Sequence, residues 1–215
     1  MKKIFLPVLL ILLMIAPGFT QDKDTKKKEK IGDKVYYEHV LEDFETTKYT
    51  QKNLQFRISR GQEGSLSIRD QYPAPIGKSK KYLGIKIKGK KGDFYQIMPE
   101  KELIINKYCR SIAVWVYGKR FSGELSLLLQ DATKQNHRLV LGSLNFLGWR
   151  KLIVKMHNNI KQEDEYLNQK RVMKILQIQY RPQNIDIHPR WQYFYIDDIS
   201  VMARDKYTDR QSDDW

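Results

Sequence analysis

The sequence predicts an all-β fold, a single domain built as a sandwich of two antiparallel sheets over residues 40–203. Three observations predict it. From Val40 onward, short apolar segments rich in aromatic and β-branched residues alternate with turn-forming residues. No helical period, internal repeat or Pro/Ser-rich linker interrupts them. The closing segment Tyr193–Met202 reads as one long strand, the expected last member of a sheet.

The chain opens with Met1-Lys2-Lys3, an apolar run from Ile4 to Ala16 and a breaking Pro17-Gly18, the three parts of an export signal over residues 1–20. Cleavage is expected after Gly18 or Thr20. The run is too short for a membrane span, which takes about 20 apolar residues. Residues 21–39 carry Lys26-Lys27-Lys28 and read as a flexible mature start.

Ten candidate strands follow: Leu54–Ile58, Ser65–Ile68, Tyr82–Lys88, Phe94–Met98, Ile112–Tyr117, Leu125–Gln130, His137–Leu141, Trp149–Val154, Lys174–Tyr180 and Tyr193–Met202. Leu83, Ile85 and Ile87 alternate with Gly84, Lys86 and Lys88, so one face is buried and the other is wet and basic. Val114 and Val116 alternate with Trp115 and Tyr117, which leaves that strand no polar face and places it centrally. The expected core comprises Val114, Val116, Leu127, Leu129, Ile153, Ile175, Ile196 and Ile199. Gly61–Gly64, Gly89–Asp93 and Gln130–Asn136 are rich in turn formers and are expected to close hairpins. Lys161–Val172 has acids first and bases last, as a short helix would, but is equally readable as a surface turn. Residues 204–215 form a polar tail.

The last strand contains an irregularity. Apolar alternation runs through Phe194 and Ile196, then changes parity to Ile199 and Val201, so the phase slips at Asp197-Asp198. A one-residue bulge explains the slip. It leaves the two carboxylates either solvated at a sheet rim or turned toward a cation.

The formal charge is +14, and it falls to +12 once a signal containing Lys2 and Lys3 is removed. Such a surface seeks anionic partners. For an exported chain these are acidic proteins, anionic glycans or lipid headgroups rather than nucleic acid. The basic strand and turn bearing Lys86, Lys88, Lys90 and Lys91 is the candidate contact, with solubility as its other reading. Cys109 is the only thiol, so the chain forms no internal disulfide, and the residue reads as a buried, inert side chain.

Catalysis finds little to work with. His39, His137, His157 and His188 are scattered without metal-ligand spacing, and neither a nucleophile elbow nor a phosphate-cradling glycine loop occurs. Asp131 begins a turn, and Glu124 precedes a strand, so no carboxylate pair suited to glycoside hydrolysis stands out. The chain therefore reads as a non-enzyme. Sugar stacking is better supplied, with Tyr72, Tyr95, Tyr108, Trp149, Trp191 and Tyr193 as candidates, among them Tyr95, Trp149 and Trp191 as sugar- or partner-stacking positions.

In order along the chain, Leu41–Glu45, Ile112–Gly118, Leu125–Asp131, Leu144–Trp149 and Tyr195–Ile199 resemble the galactose-binding-like jelly roll of many carbohydrate-binding modules. Within that superfamily, the export signal, the Lys-rich start and the Tyr-Gly, Gly-Trp and Ile-Asp-Asp-Ile pattern look most like the flagellar filament outer layer (FlaA) proteins of spirochaetes. The resemblance implies a periplasmic, non-enzymatic sheath subunit. Its partners would be the flagellin core filament and other sheath proteins, and its packing would affect filament stiffness, curvature and motility. It also implies a structural calcium, held by Glu45 and by Asp197 or Asp198. A periplasmic carbohydrate-binding module is the alternative reading.

Overall fold

The computed structural model describes residues 35–57, 62–163, 171–183 and 188–206. The expected export signal, most of the Lys-rich start, the core of the Lys161–Val172 segment and most of the C-terminal tail lie outside these residues.

Alternation of apolar and polar side chains produces strands throughout the described chain. They are β1 (Tyr37–Glu42), β2 (Leu54–Arg57), β3 (Glu63–Arg69), β4 (Tyr82–Gly89), β5 (Phe94–Ile97), β6 (Leu103–Ile105), β7 (Tyr108–Lys119), β8 (Gly123–Gln130), β9 (Asn136–Ser143), β10 (Leu147–Lys155), β11 (Met173–Pro182) and β12 (Arg190–Arg204). A 3-10 turn, Gln51–Asn53, precedes β2. All ten expected strands are present. The structure adds β1, which starts at Tyr37 ahead of Val40, and the short β6.

The strands form two antiparallel sheets, the layers of a jelly-roll sandwich. The front sheet runs β10-β7-β12-β4-β3 with β1 also on β12, and the back sheet runs β2-β5-β11-β8-β9 with β6 also on β11. β12 is long enough to hold β4 along its first half and β1 along its second, while β7 follows its other side. First and last strands are therefore neighbours.

The core lies between the sheets. Leu83, Ile85 and Ile87 of β4, Ile112, Val114 and Val116 of β7, and Phe194, Ile196, Ile199 and Val201 of β12 are buried against Leu125, Leu127 and Leu129 of β8 and Ile175, Ile178 and Tyr180 of β11. Each such side chain contributes roughly 1.5–3 kcal/mol on removal from water. The Tyr180 and Phe194 rings meet across the sandwich with centroids 4.6 Å apart. Tyr180 places its polar tip without penalty, because its hydroxyl donates to Gln192 Oε1 at 2.6 Å. Cys109 is buried as expected, and burial pushes its thiol pKa up to about 12, which keeps it protonated and inert.

Two expectations are corrected. Ile153 is not core but 58% exposed. It lies opposite Ala113 on the outer face of β10, the edge strand of the front sheet, while its neighbour Val154 is turned inward and buried. Only one of the three glycine- or turn-rich segments closes a hairpin. Gln130–Asn136 joins the paired strands β8 and β9, whereas Gly89–Asp93 carries the chain from β4 in the front sheet to β5 in the back sheet. The segment around Gly61–Gly64 likewise separates β2 in the back sheet from β3 in the front, and Gly64 itself belongs to β3. Local composition specifies a turn, but not which sheet receives the next strand.

Candidate functional site

The phase slip in β12 is a bulge. Asp197 pairs with Trp115 and Ile199 with Val114, so Asp198 is the extra residue. Asp198 takes a left-handed φ of 41°, a conformation that aspartate tolerates better than most side chains. The bulge keeps Phe194, Ile196, Ile199 and Val201 all in the core.

Asp197 emerges on the outer face of the front sheet yet is fully buried, because the segment from Tyr72 to Lys81 folds over it. Its Oδ2 accepts from the Ser79 hydroxyl at 2.6 Å and the Ala74 N–H at 3.3 Å, and its Oδ1 from the Asp198 N–H at 2.8 Å. Burial raises its pKa to about 6 against the opposing pull of those three donors. Asp198 is also raised, by burial first and then by the Glu38 carboxylate. Glu45 holds the same segment one residue further on. Its Oε1 accepts from the Lys80 and Lys81 N–H groups at 2.5 and 3.0 Å, and the Lys81 ammonium bonds the Glu45 carbonyl at 2.9 Å.

This corrects the reading of Asp197 as a solvated rim residue. The carboxylates of Asp197 and Glu45 both accept hydrogen bonds from the segment that covers them. Calcium needs about 6 to 8 oxygen ligands. Here the Lys80 and Lys81 N–H groups take Glu45 Oε1, and the Ser79 hydroxyl with the Ala74 and Asp198 N–H groups takes the Asp197 carboxylate. Among the described residues, no group of three or more His, Cys, Asp or Glu gathers so as to hold a metal.

Beside this clamped segment, the outer face of the front sheet carries a layer of aromatic rings. Trp191, Tyr193 and Tyr195 share one parity of β12, opposite to that of Phe194 and Ile196. Register places Tyr195 against Tyr117, and Tyr117 against Trp149. Ring centroids are 5.3 Å apart for Tyr117 and Tyr195, 5.5 Å for Tyr117 and Trp149, and 5.0 Å for Tyr82 and Tyr195. The Trp149 indole N–H donates to the Tyr72 carbonyl at 3.2 Å, which ties the layer to the clamped segment.

Cations lie on these rings. The Lys86 ammonium is 4.2 Å from the Trp191 centroid and 5.7 Å from that of Tyr193, and the Lys119 ammonium is 5.0 Å from Tyr195. A groove of 210 Å³ is lined by Ser65, Ser67, Arg69, Lys86, Lys119, Tyr193 and Tyr195, and the Arg69 side chain packs over Gly84 at its floor. Lys88 is neutralised by Glu63 at 2.9 Å. Lys86, Lys119 and Arg69 form no ion pair among the described residues. Three cations without counter-ions around an aromatic floor suit an incoming carboxylate.

Of the residues singled out from sequence, Lys86, Lys88, Trp191 and Trp149 come together on this face. Lys90 and Lys91 do not; they lie in the turn that leaves the front sheet, where the Lys90 N–H donates to Asp93. Tyr95 is a correction. It is 1% exposed, lies under Phe56 in the core, and donates its hydroxyl to the Lys88 carbonyl at 2.6 Å, so it is unavailable for stacking. Sequence reasoning missed Lys119, Arg69, Tyr117 and Tyr195. The i, i+2 spacing of Trp191, Tyr193 and Tyr195 signals the aromatic row, but only strand register brings Lys119 to it.

Residues 62–212, more than half of the chain, match the family described as Flagellar filament outer layer protein Flaa. A flagellar filament outer layer-like protein of Brachyspira hyodysenteriae is 24% identical over 123 residues, and the match covers 56% of this chain and 56% of that relative's length. Among solved structures, a family 11 carbohydrate-binding module from Clostridium thermocellum, in complex with a β-1,3-1,4-mixed-linked tetrasaccharide, is 13% identical. It covers 80% of this chain and 99% of its own, with a TM-score of 0.49. A second carbohydrate-binding module of the β-sandwich superfamily is 10% identical, covering 76% of this chain and 61% of its own, with a TM-score of 0.48.

Proposed function

The chain belongs to the flagellar filament outer layer protein family, and from that premise we propose that it is a coat subunit of a periplasmic flagellar filament, seated on the flagellin core through the outer face of its front sheet. The observation that carries the choice of face is the set of uncompensated cations, Lys86, Lys119 and Arg69, gathered around the rings of Trp191, Tyr193 and Tyr195. Acidic side chains of a filament surface would complete these charges. The rings supply rigid contact area whose ordering cost is low, and each cation–π contact adds about 0.5–2 kcal/mol, more as water is excluded.

A single such contact is weak. Repetition along a filament converts many weak contacts into a stable coat, because each seated subunit raises the effective concentration of its neighbours' sites. A continuous coat of rigid sandwiches would stiffen the filament and bias its curvature, and through these the motility of the cell. The role is one of binding and mechanics rather than catalysis.

Co-sedimentation with purified flagellin filaments tests the reading. Replacing Lys86→Glu and Lys119→Glu together should leave the melting temperature unchanged while reducing the pelleted fraction several-fold at low salt. Screening should narrow the difference as salt rises. A double variant that pellets like the parent at every salt concentration would remove this face from consideration.

A further inference from the structure

Among the described residues, the front sheet ends on a long strand that pairs on one side only. This is β10, nine residues from Leu147 to Lys155, bonded to β7 without a register shift and free of proline. The Met156 N–H donates to the Arg110 carbonyl and the Arg120 N–H to the Phe146 carbonyl, so even-numbered residues along this stretch turn their backbone toward β7. The N–H and C=O groups of Trp149, Lys151 and Ile153 therefore point out from the sheet edge. The same edge carries two exposed aliphatic side chains, Leu147 at 59% and Ile153 at 58%. Other edges differ: β1 and β9 are interrupted by register shifts, and β3 presents Ser65, Ser67 and Arg69 outward.

We propose that β10 is a self-association edge, which pairs antiparallel with β10 of a second copy of this chain about a two-fold axis at Arg150. This register sets Trp149 opposite Lys151 of the second copy and Leu147 opposite its Ile153, and the axis makes each pairing occur twice. Odd residues meet odd residues, so outward-pointing backbone groups bond to one another. The exposed aliphatic side chains cover each other, and the Lys151 stem lies along the Trp149 ring. A shift of two residues either way keeps the backbone parity but sets Lys151 against itself, or sets Ile153 against Asn145, which lies outside the strand.

Lysine commonly protects a sheet edge from such pairing. Here the Lys151 ammonium is drawn back across β7 and β12 to Glu38 of β1, so its charge is neutralised within the subunit. Arg150 lies over its own Phe146 ring at 4.7 Å, and Lys155 falls beyond the paired span. The axis stands perpendicular to the sheet, so the two front sheets merge and both aromatic faces look the same way. The dimer is then bivalent toward a filament, a consequence that rests on the proposed seat, whereas the pairing itself does not.

Sedimentation equilibrium of the full chain, as recovered after export, tests the pairing over a concentration series, with melting temperature as the control for folding. The parent should dimerise, and Leu147→Glu or Ile153→Lys alone should raise the dimer Kd about tenfold or more. Combining the two substitutions places the new carboxylate opposite the new ammonium across the axis and should restore association. On dimerisation, hydrogen exchange should slow at the amides of Trp149, Lys151 and Ile153 and stay unchanged at Arg150 and Leu152, which already bond to β7. Both copies are basic and Arg150 meets Arg150 at the axis, so added salt should tighten the dimer while it weakens filament binding. A parent that stays monomeric throughout the series overturns the proposal. So does a dimer that both folded single variants form as well as the parent, or one that the combined variant fails to restore. The Lys86→Glu, Lys119→Glu variant should dimerise normally whether or not it pellets with filaments, so either reading can fail without the other.

Discussion

Ser79 donates its hydroxyl to Asp197 at 2.6 Å, across 118 positions of sequence, and so fastens the connection between β3 and β4 onto the bulge of the last strand. The next residue, Lys80, donates its N–H to Glu45 near the end of the first strand. The two carboxylates that look like a metal pair in the sequence thus act together on one segment through hydrogen bonds.

That fastening should depend on pH. Burial raises the Asp197 pKa to about 6, above the unfolded value of 3.8. The folded state then binds more protons than the unfolded state between those values, so the contribution of Asp197 is most favourable below about pH 4 and declines as pH rises through 6. The decline amounts to about 3 kcal/mol at 1.36 kcal/mol per pH unit. Urea denaturation of the parent and of Asp197→Asn at pH 4, 5, 6 and 7 should show the parent losing ground to the variant across that range. A constant difference would contradict the assignment.

Calcium should leave the melting temperature where it is. An ion that bound only the folded state at a hundredfold excess over its Kd would stabilise by about 2.7 kcal/mol, a shift of several degrees. Scanning calorimetry with millimolar calcium against a chelator measures this directly. A clear rise, abolished by Asp197→Ala, would mean that the segment can turn acceptors toward the carboxylates.

The hairpin between β8 and β9 rests on Asp131. Its Oδ1 accepts from the Thr133 N–H, the Thr133 hydroxyl and the Gln135 N–H, and its Oδ2 contacts His137 Nε2 at 2.8 Å. Burial alone would raise its pKa, but these hydrogen bonds outweigh it and lower the value below 3.8. Asp131 therefore stabilises above the unfolded pKa and loses that contribution as pH falls through its folded value. Asp131→Ala should cost roughly 1–3 kcal/mol at pH 7, from donors left unpaired, and the cost should shrink in acid. A variant equally destabilised at pH 3 and pH 7 would contradict this.

Val116 and Ile153 should respond oppositely to a charge. Val116 is fully buried, so Val116→Asp strands a carboxylate in the core and should abolish soluble folding. Ile153 is 58% exposed on an edge strand, so Ile153→Lys should express and melt close to the parent. Thermal melts and soluble yield decide between this and the sequence expectation that both are core.

Features that depend on neighbours one or two residues away were legible in the amino-acid pattern. Alternation of Leu83, Ile85 and Ile87 with Lys86 and Lys88 located β4 and its basic side, and the parity change at Asp197-Asp198 located the bulge, because side chains in a strand alternate faces whatever the strand pairs with. Tyr95 was legible in the same way, since it shares its parity with the buried Ile97, although composition alone presents it as one more aromatic. The rest followed from how the strands pack against one another. That packing placed β10 at an edge, which turned Ile153 from core into surface, sent the Gly89–Asp93 turn to the opposite sheet, and brought Lys119 and Arg69 to the rings of β12. Pairing and register are set by the simultaneous burial of all the strands, so no local window of sequence contains the information that assembles either face.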